Sequence, residues 1–555
     1  MELLAMCGVR SMGAGQGAGR APRGGARAYT CGHVSPDVET TRRMHTSTTR
    51  IARPLALLAV AFGVAACGDS QPRLERPNIV LVTIDTLRAD HLGCYGYFRD
   101  TSPHIDAFAK ESLVFEQAYA AMATTLPSHA SMLTARYPLE HGITANLMHG
   151  GKPFGWASGM VSFAQVAKEA GYTTAGFVSA APLKAPSGIA AGFEVWSEPE
   201  GKAVERKAGE TLSKALPWLE QQASQPFFLW VHFYDPHWPH RAPAPYDTMF
   251  RGTNAEAKEA WIAERKLPEA AVRSNARKRT ETRPALDNYC GEVRYADEQF
   301  GVLLDALKRK GVLDSSIVVL TADHGEGLNQ HEWTAHGLVW DEQLRVPLVM
   351  RFPQAAGVAP GRAGQLVSLI DMLPTVLGRV QPFETPKWND FFRLATGVDA
   401  LASDFEERPV FAQRTGRELA EDPGEMYAIT TPRWKFIHEP EVGDQLFDRK
   451  VDPHELGDLA AKDAAQAKAS RREMQLMMEL QKRRGAELGP AQAGEADPEL
   501  LKQMQALGYL GGEDGRNGEQ ALPERPVEEP ESELEAEGEP ETPPSQEPKE
   551  QGKRP

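Results

Sequence analysis

Four polar clusters in this chain hold residue types suited to metal-assisted ester chemistry, and three of them stand at the end of an apolar run. Residues 78–84 (Asn-Ile-Val-Leu-Val-Thr-Ile) are continuous and rich in β-branched side chains, and they end in Asp85. Residues 227–233 lead into Tyr234-Asp235-Pro236-His237-Trp238-Pro239-His240, and residues 316–321 into Ala322-Asp323-His324-Gly325-Glu326. Such runs read as strands buried on both faces of a parallel sheet. Ligands in open α/β sheets gather at strand carboxyl ends, so Asp85, Asp323 and His324 are expected to meet as metal ligands. Asp235 and His240 are candidates for a second metal or for substrate contact, in the manner of paired acid and imidazole groups in two-metal phosphatases. The fourth cluster, Thr124-Thr125-Leu126-Pro127-Ser128-His129-Ala130-Ser131, runs from a polar turn into a helix. Pro127 suits a first helical position, which puts Thr125 just ahead of free backbone N–H groups, a place for an anion. A Ser/Thr-rich helix cap and a purely structural 234–240 cluster are the plainer alternatives.

The rest of the chain has to position these groups. At 555 residues it is long enough for one large core and a smaller unit. The net charge of −15 argues against a nucleic-acid partner, although much of it sits in the Glu-rich tail. Residues 1–43 read as a disordered leader or a mis-called start. Residues 44–67 then show Arg50 and Arg53, an apolar stretch, and Val64-Ala65-Ala66-Cys67. This looks like a bacterial lipoprotein signal with Cys67 as the lipidated residue, followed by a linker at 68–76. The implied location is the cell envelope, lipid-anchored and facing the periplasm or exterior.

Helical spacing is expected at 103–113, 163–170 and 289–310, and further strands at 115–121, 173–178 and 346–352. Residues 251–285 interrupt with charged helix formers, either a lid or a solvated hairpin. A catalytic domain at 77–395 precedes a subdomain at 396–512, with strands near 410–413, 427–431, 435–438 and 445–448 and helices beyond. Residues 513–555 are Glu/Pro-rich and expected to be disordered. The fold class is therefore α/β, a large mixed but mostly parallel sheet sandwiched by helices, with a smaller C-terminal α+β subdomain. Of the five cysteines, only Cys94 and Cys290 are candidates for a bridge in a mature chain, and none is assigned.

Residues 125–136 resemble the signature of the sulfatase family of the alkaline phosphatase superfamily, whose pattern runs nucleophile, any residue, Pro, Ser, Arg, then Leu/Met-Thr-Gly-Arg. Thr125 takes the nucleophile position, His129 replaces the Arg and Ala135 the Gly. Family sulfatases convert a Cys or Ser there to formylglycine; threonine, a secondary alcohol, cannot give that aldehyde. The stretch from Asp85 to Gly96 resembles the family's first motif, with Thr86 in place of a second acid. The resemblance gives His237 and His336 the role of touching the transferred ester group, and places Arg88 and His129 near substrate. Lys184 is the nearest replacement for the family's sulfate-gripping lysine, although a surface role fits it better, and His331 reads as a loop residue.

These departures imply a modified chemistry. Fewer oxygen ligands and one imidazole move the metal preference from calcium toward zinc or manganese. Sulfated threonine lacks the exit that formylglycine hydrate provides, whereas phosphothreonine can be attacked at phosphorus. The resemblance therefore implies a metal-dependent hydrolase of sulfuric or phosphoric esters, with phosphomonoesters, phosphodiesters or phosphonate esters ahead of sulfate esters, acting on a small molecule or glycan without formylglycine. The alternatives are an inactive lipid-anchored binder of sulfated or phosphorylated glycans and a phosphoethanolamine-type transferase.

Overall fold

The computed structural model of the chain describes residues 72–494, apart from 149–151, 202, 223–224, 268–281 and 416–423. The leader, the signal segment with Cys67, residues 68–71 of the linker, the last helical segments and the acidic tail lie outside the described residues. Among the described residues no helix is long and apolar enough to cross a membrane.

An eight-stranded sheet forms the centre. Its order across the sheet is Val195–Ser197, Thr173–Phe177, Phe227–Phe233, Asn78–Ile84, Ser316–Ala322, Arg345–Arg351, Leu113–Tyr119 and Gly361–Ser368. Only Arg345–Arg351 runs antiparallel to its neighbours, so the sheet is mixed and mostly parallel, as its apolar runs imply. Phe227–Phe233 and Ser316–Ala322 are buried along their whole length, which explains why their sequences show no polar alternation. Helices such as Phe163–Glu169 and the 28-residue Thr282–Arg309 cover the sheet. That long helix begins inside the 251–285 stretch, seven residues before its apolar period becomes visible.

The C-terminal sheet is antiparallel, in the order Val410–Arg414, Met426–Thr430, Trp434–Glu439 and Gly443–Asp448. Alternation along these strands serves two cores. Val410, Ala412, Ala428, Ile437 and Phe447 join the main core, while Phe411, Ile429, Phe436 and Leu446 pack with Ala467 and Met474 of the helix Ala464–Leu488. This sheet is therefore wedged between the catalytic layer and that helix.

Helix Thr125–Thr134 starts two residues earlier than its proline suggests. Pro127 is its third residue, which is tolerated because the first turn's N–H groups have no intrahelical partner. The helix ends at Ala135, which holds a left-handed conformation (φ 54°, ψ 39°) and is fully buried. A left-handed non-glycine residue carries a steric cost that glycine avoids. Ala135→Gly should therefore raise stability by about 1 kcal/mol in denaturant unfolding. A loss instead would mean that the buried methyl contributes more than the backbone strain costs.

Candidate metal centre and nucleophile

Adjacent strands bring the acids together. Ile84 is level with Ala322 on one side and with Phe233 on the other. The next residues, Asp85, Asp323 and Tyr234, thus leave the sheet side by side. The Asp85 N–H still donates to the Phe233 carbonyl at 2.9 Å, so its backbone remains tied to the strand. Thr86 then turns the chain with φ 55°, and its N–H donates to Asp323 Oδ1 at 3.2 Å. The His324 N–H donates to that same oxygen at 2.9 Å, which leaves Oδ2 for another partner.

The side-chain atoms left over define the site. Asp85 Oδ1 and Oδ2, Thr86 Oγ1, Thr125 Oγ1, Asp323 Oδ2 and His324 Nε2 are all buried without a hydrogen-bond partner. One ligand atom from each of Asp85, Asp323 and His324 lies within 4.8 Å of the other two. Burial, and for Asp323 also the neighbouring Asp85, pushes both carboxyls well above their usual range. His324 is pushed down to about 4, chiefly by burial, so its ring is neutral near pH 7. Its Nδ1 donates to the Gly325 carbonyl at 3.0 Å, so the lone pair sits on Nε2. Buried polar atoms without partners are costly, and two carboxylates with an imidazole lone pair form a donor set that fits a divalent cation. Gly325 makes the approach possible, since a Cβ there would lie 2.1 Å from the Glu342 carbonyl oxygen.

The nucleophile helix is fastened to this centre. Ser128 Oγ donates to the Asp323 carbonyl at 2.7 Å, and the Leu126 N–H donates to Asn146 Oδ1 at 3.0 Å. His129 is not turned to substrate, contrary to the expectation from its place in the signature. Trp230 Nε1 donates to Thr83 Oγ1 at 2.9 Å, and that hydroxyl donates to His129 Nε2 at 3.0 Å. His129 Nδ1 then donates to the Thr125 carbonyl at 2.8 Å. Both ring nitrogens are committed, so His129 braces the nucleophile turn from beneath.

Arg88 is also committed elsewhere. Its guanidinium grips Asp90 at 2.9 and 2.8 Å and donates to the Glu326 carbonyl and Gln330 Oε1, each at 3.1 Å. It ties the first motif to the loop after His324 rather than reaching a ligand. Asp235 and His240 do not form a second metal site. Asp235 Oδ2 accepts from the Ala208 N–H at 2.8 Å, at the start of helix Ala208–Gln221, and Oδ1 lies 2.9 Å from Lys207 Nζ. His240 lies edge-on to Tyr289 at 5.4 Å, and neither residue belongs to a metal-compatible group among the described residues. Lys184 Nζ donates to the Gly201 carbonyl at 3.0 Å. The insertion's helix Ala255–Glu264 is docked rather than open, with Trp261 5.1 Å from His91 and Arg265 stacked on Trp261 at 4.0 Å. Cys94 and Cys290 are free thiols.

His237 and His336 do converge. Their Nε2 atoms are 3.1 Å apart, and the His336 ring lies 4.5 Å from that of His324. Tyr234 Oη sits 2.7 Å from His237 Nδ1, and His336 Nδ1 donates to the Ala123 carbonyl at 3.1 Å.

One residue of the site escapes sequence reading. His232 sits inside a strand, and its Nε2 is 3.5 Å from Asp85 Oδ2. Its Nδ1 accepts the Ser179 N–H at 3.2 Å, which places the proton on Nε2 and aims it at Asp85. That tautomer cannot ligate through Nε2, so a metal group of His129, His232 and Asp323 is ruled out; His232 instead orients a ligand. The only sequence signal is a polar residue in an otherwise apolar strand. His232→Ala should weaken divalent-metal affinity about tenfold or more, measured by calorimetric titration, with the fold retained. Unchanged affinity would reduce His232 to a packing residue.

An α/β sheet with acids and imidazoles at its central strand ends, facing a hydroxyl at a helix start, is an arrangement suited to an ester hydrolase. The sulfatase family profile matches residues 77–381, and a profile for the N-sulphoglucosamine sulphohydrolase C-terminal region matches residues 329–484. The chain belongs to the sulfatase family, as its motifs imply, and is a sulfatase-like ester hydrolase. It is 26% identical to an ulvan-active sulfatase of Formosa agariphila over 74% of this chain and 83% of that protein. It is equally 26% identical to a multifunctional alkaline phosphatase superfamily protein of Trinickia caryophylli, over 70% and 92%. Among solved structures, the phosphonate monoester hydrolase of Agrobacterium radiobacter has the same fold, with TM-score 0.57 and 22% identity over 73% of this chain and 96% of that one.

Proposed function

We propose that this protein hydrolyses phosphoric esters (phosphomonoesters, phosphodiesters or phosphonate esters) in preference to sulfate esters, with Thr125 as nucleophile. The observation that carries this reading is the hydroxyl itself. Thr125 opens a helix beside Asp323 and has a buried Oγ1 without a partner, and no aldehyde can be made from it. The similarity to a multifunctional alkaline phosphatase superfamily protein, beside that to sulfatases, is compatible with phosphoric as well as sulfuric esters.

Asp85, Asp323, His324 and Thr125 would hold a divalent cation. Three oxygen donors and one imidazole favour zinc or manganese, with calcium less suited. When bound, the cation supplies positive charge that lowers the hydroxyl's pKa and polarises the ester. Thr125 Oγ1, its proton passing to solvent, then attacks phosphorus, the bond to the leaving alcohol breaks, and His237 or His336 gives that oxygen a proton. Water attacks phosphorus of the phosphothreonine, releasing the acid and restoring the hydroxyl. His129 and His232 keep the nucleophile turn and Asp85 in place throughout. The ulvan-active relative supports glycan esters as one substrate class. Val64-Ala65-Ala66-Cys67 supports attachment to the cell envelope through lipidated Cys67.

The test is an assay of the protein loaded in turn with zinc, manganese and calcium against aryl phosphate, phosphodiester, phosphonate and sulfate esters. Phosphoester turnover should dominate and fall by about a thousandfold or more in Thr125→Ala. Turnover of sulfate esters alone would overturn the threonine argument, and no turnover with any pairing would leave a glycan-ester binder.

A further inference from the structure

Loop 325–344 carries His336 between the metal centre and the antiparallel strand Arg345–Arg351, and its backbone is strained. Leu328, Asn329, His331 and Glu332 all hold positive φ, from 48° to 71°, and none is glycine. Such residues persist only where their surroundings over-determine them. Backbone bonds from Gly327 and Asn329 to the Ala335 and Trp333 carbonyls supply part of that determination, and His331 supplies another part. Its Nδ1 lies 3.1 Å from Glu342 Oε1, and its Nε2 3.1 Å from the Glu455 carbonyl. Both partners are acceptors, so both nitrogens carry protons and the ring is an imidazolium. The ring also lies flat on Trp340, with centroids 3.9 Å apart and planes at 6°. One side chain thus joins the beginning of the 331–342 segment to its end and, through Glu455, to the C-terminal subdomain.

The same subdomain holds that segment at further points. Lys435 is fully buried and lies 3.0 Å from Asp341 and 3.4 Å from Glu455. The Asp341 N–H donates to Glu455 Oε2 at 3.0 Å, and Tyr119 Oη donates to Asp341 Oδ2 at 2.8 Å while accepting from Arg449. Three acids (Asp341, Glu342, Glu455) therefore face three basic groups (His331, Lys435, Arg449), with burial carrying the Glu455 carboxyl up to about 8. The cluster reaches His336 by short links. Trp333 Nε1 donates to the His336 carbonyl at 3.0 Å, Arg414 donates to the Gly337 carbonyl at 2.8 Å, and the Leu338 N–H donates to Gln343 Oε1 at 2.7 Å, beside Glu342.

We propose that His331 is a positioning residue that clasps the His336 loop to the C-terminal subdomain and so sets His336 against His237 and the transferred group. The inference rests on the reading that His336 contacts that group. Burial alone would push the His331 imidazole down, but Glu342 and Glu455 carry it up to about 9, in keeping with a permanently charged clasp at neutral pH.

The test is a double-mutant cycle on the full chain, using His331→Gln, His336→Gln and the pair. With an aryl phosphate ester, His331→Gln should lower kcat about tenfold with KM within about twofold and metal content unchanged. The paired variant should be no slower than His336→Gln alone, and His331→Lys should recover part of the loss. Backbone hydrogen exchange should quicken in residues 327–342 and not in the central strands. Additive losses, or a His331→Gln variant with unchanged kcat and exchange, would overturn the proposal. Should no ester be turned over, the same cycle read by inorganic phosphate binding, together with the exchange measurement, decides it separately from the proposed activity.

Discussion

Everything at this site follows from two carboxylates that the sheet forces together. Because Ile84 and Ala322 are level on neighbouring parallel strands, Asp85 and Asp323 leave the sheet at one height, inside the protein. Two buried carboxylates at this spacing cannot both ionise without a compensating charge. The nearby guanidinium of Arg88 is held by Asp90, and the imidazoles of His129, His232 and His324 are neutral, so the pair is relieved either by holding a proton, as the raised carboxyls indicate, or by a cation. The closeness of the two acids is thus a property of the sheet register before it is a property of either side chain.

A second layer keeps the ligands in place without adding charge. The relay from Trp230 through Thr83 and His129 to the Thr125 carbonyl, and the contact from Ser179 through His232 to Asp85, start from donors that can only donate. Each direction of donation is therefore fixed, and with it each tautomer. The two rings meet edge to face with centroids 5.0 Å apart, and together they form a rigid floor beneath nucleophile and metal ligands.

Much of this was legible in the sequence because it depends on local pattern. The buried strands announced themselves by unbroken β-branched runs, and the polar residues just after them marked Asp85, Asp323 and His324. Where reasoning from position failed, the cause was a partner far away in the chain. Arg88 and His129 look available until Asp90 and the Thr83 hydroxyl are seen to hold them, and Asp235 looks like a metal ligand until Lys207 and the Ala208 N–H take its two oxygens. His232 was invisible for the opposite reason, since one imidazole in a buried strand carries no motif. His331, which reads as a plain loop histidine, owes its place to Glu455, 124 residues downstream.

The wedge of the C-terminal sheet has a bearing on how the protein is made. Asp341 is paired with Lys435, 94 residues later, and its backbone N–H with Glu455, 114 residues later. A chain that has reached only the last strand of the central sheet holds Asp85, Thr125, Asp323 and His324, yet its half-buried Asp341 lacks Lys435, and Val410, Phe447 and their neighbours do not yet cover the main core. The segment that carries His336 thus gains its Lys435 and Glu455 partners only once the closing hairpin is in place.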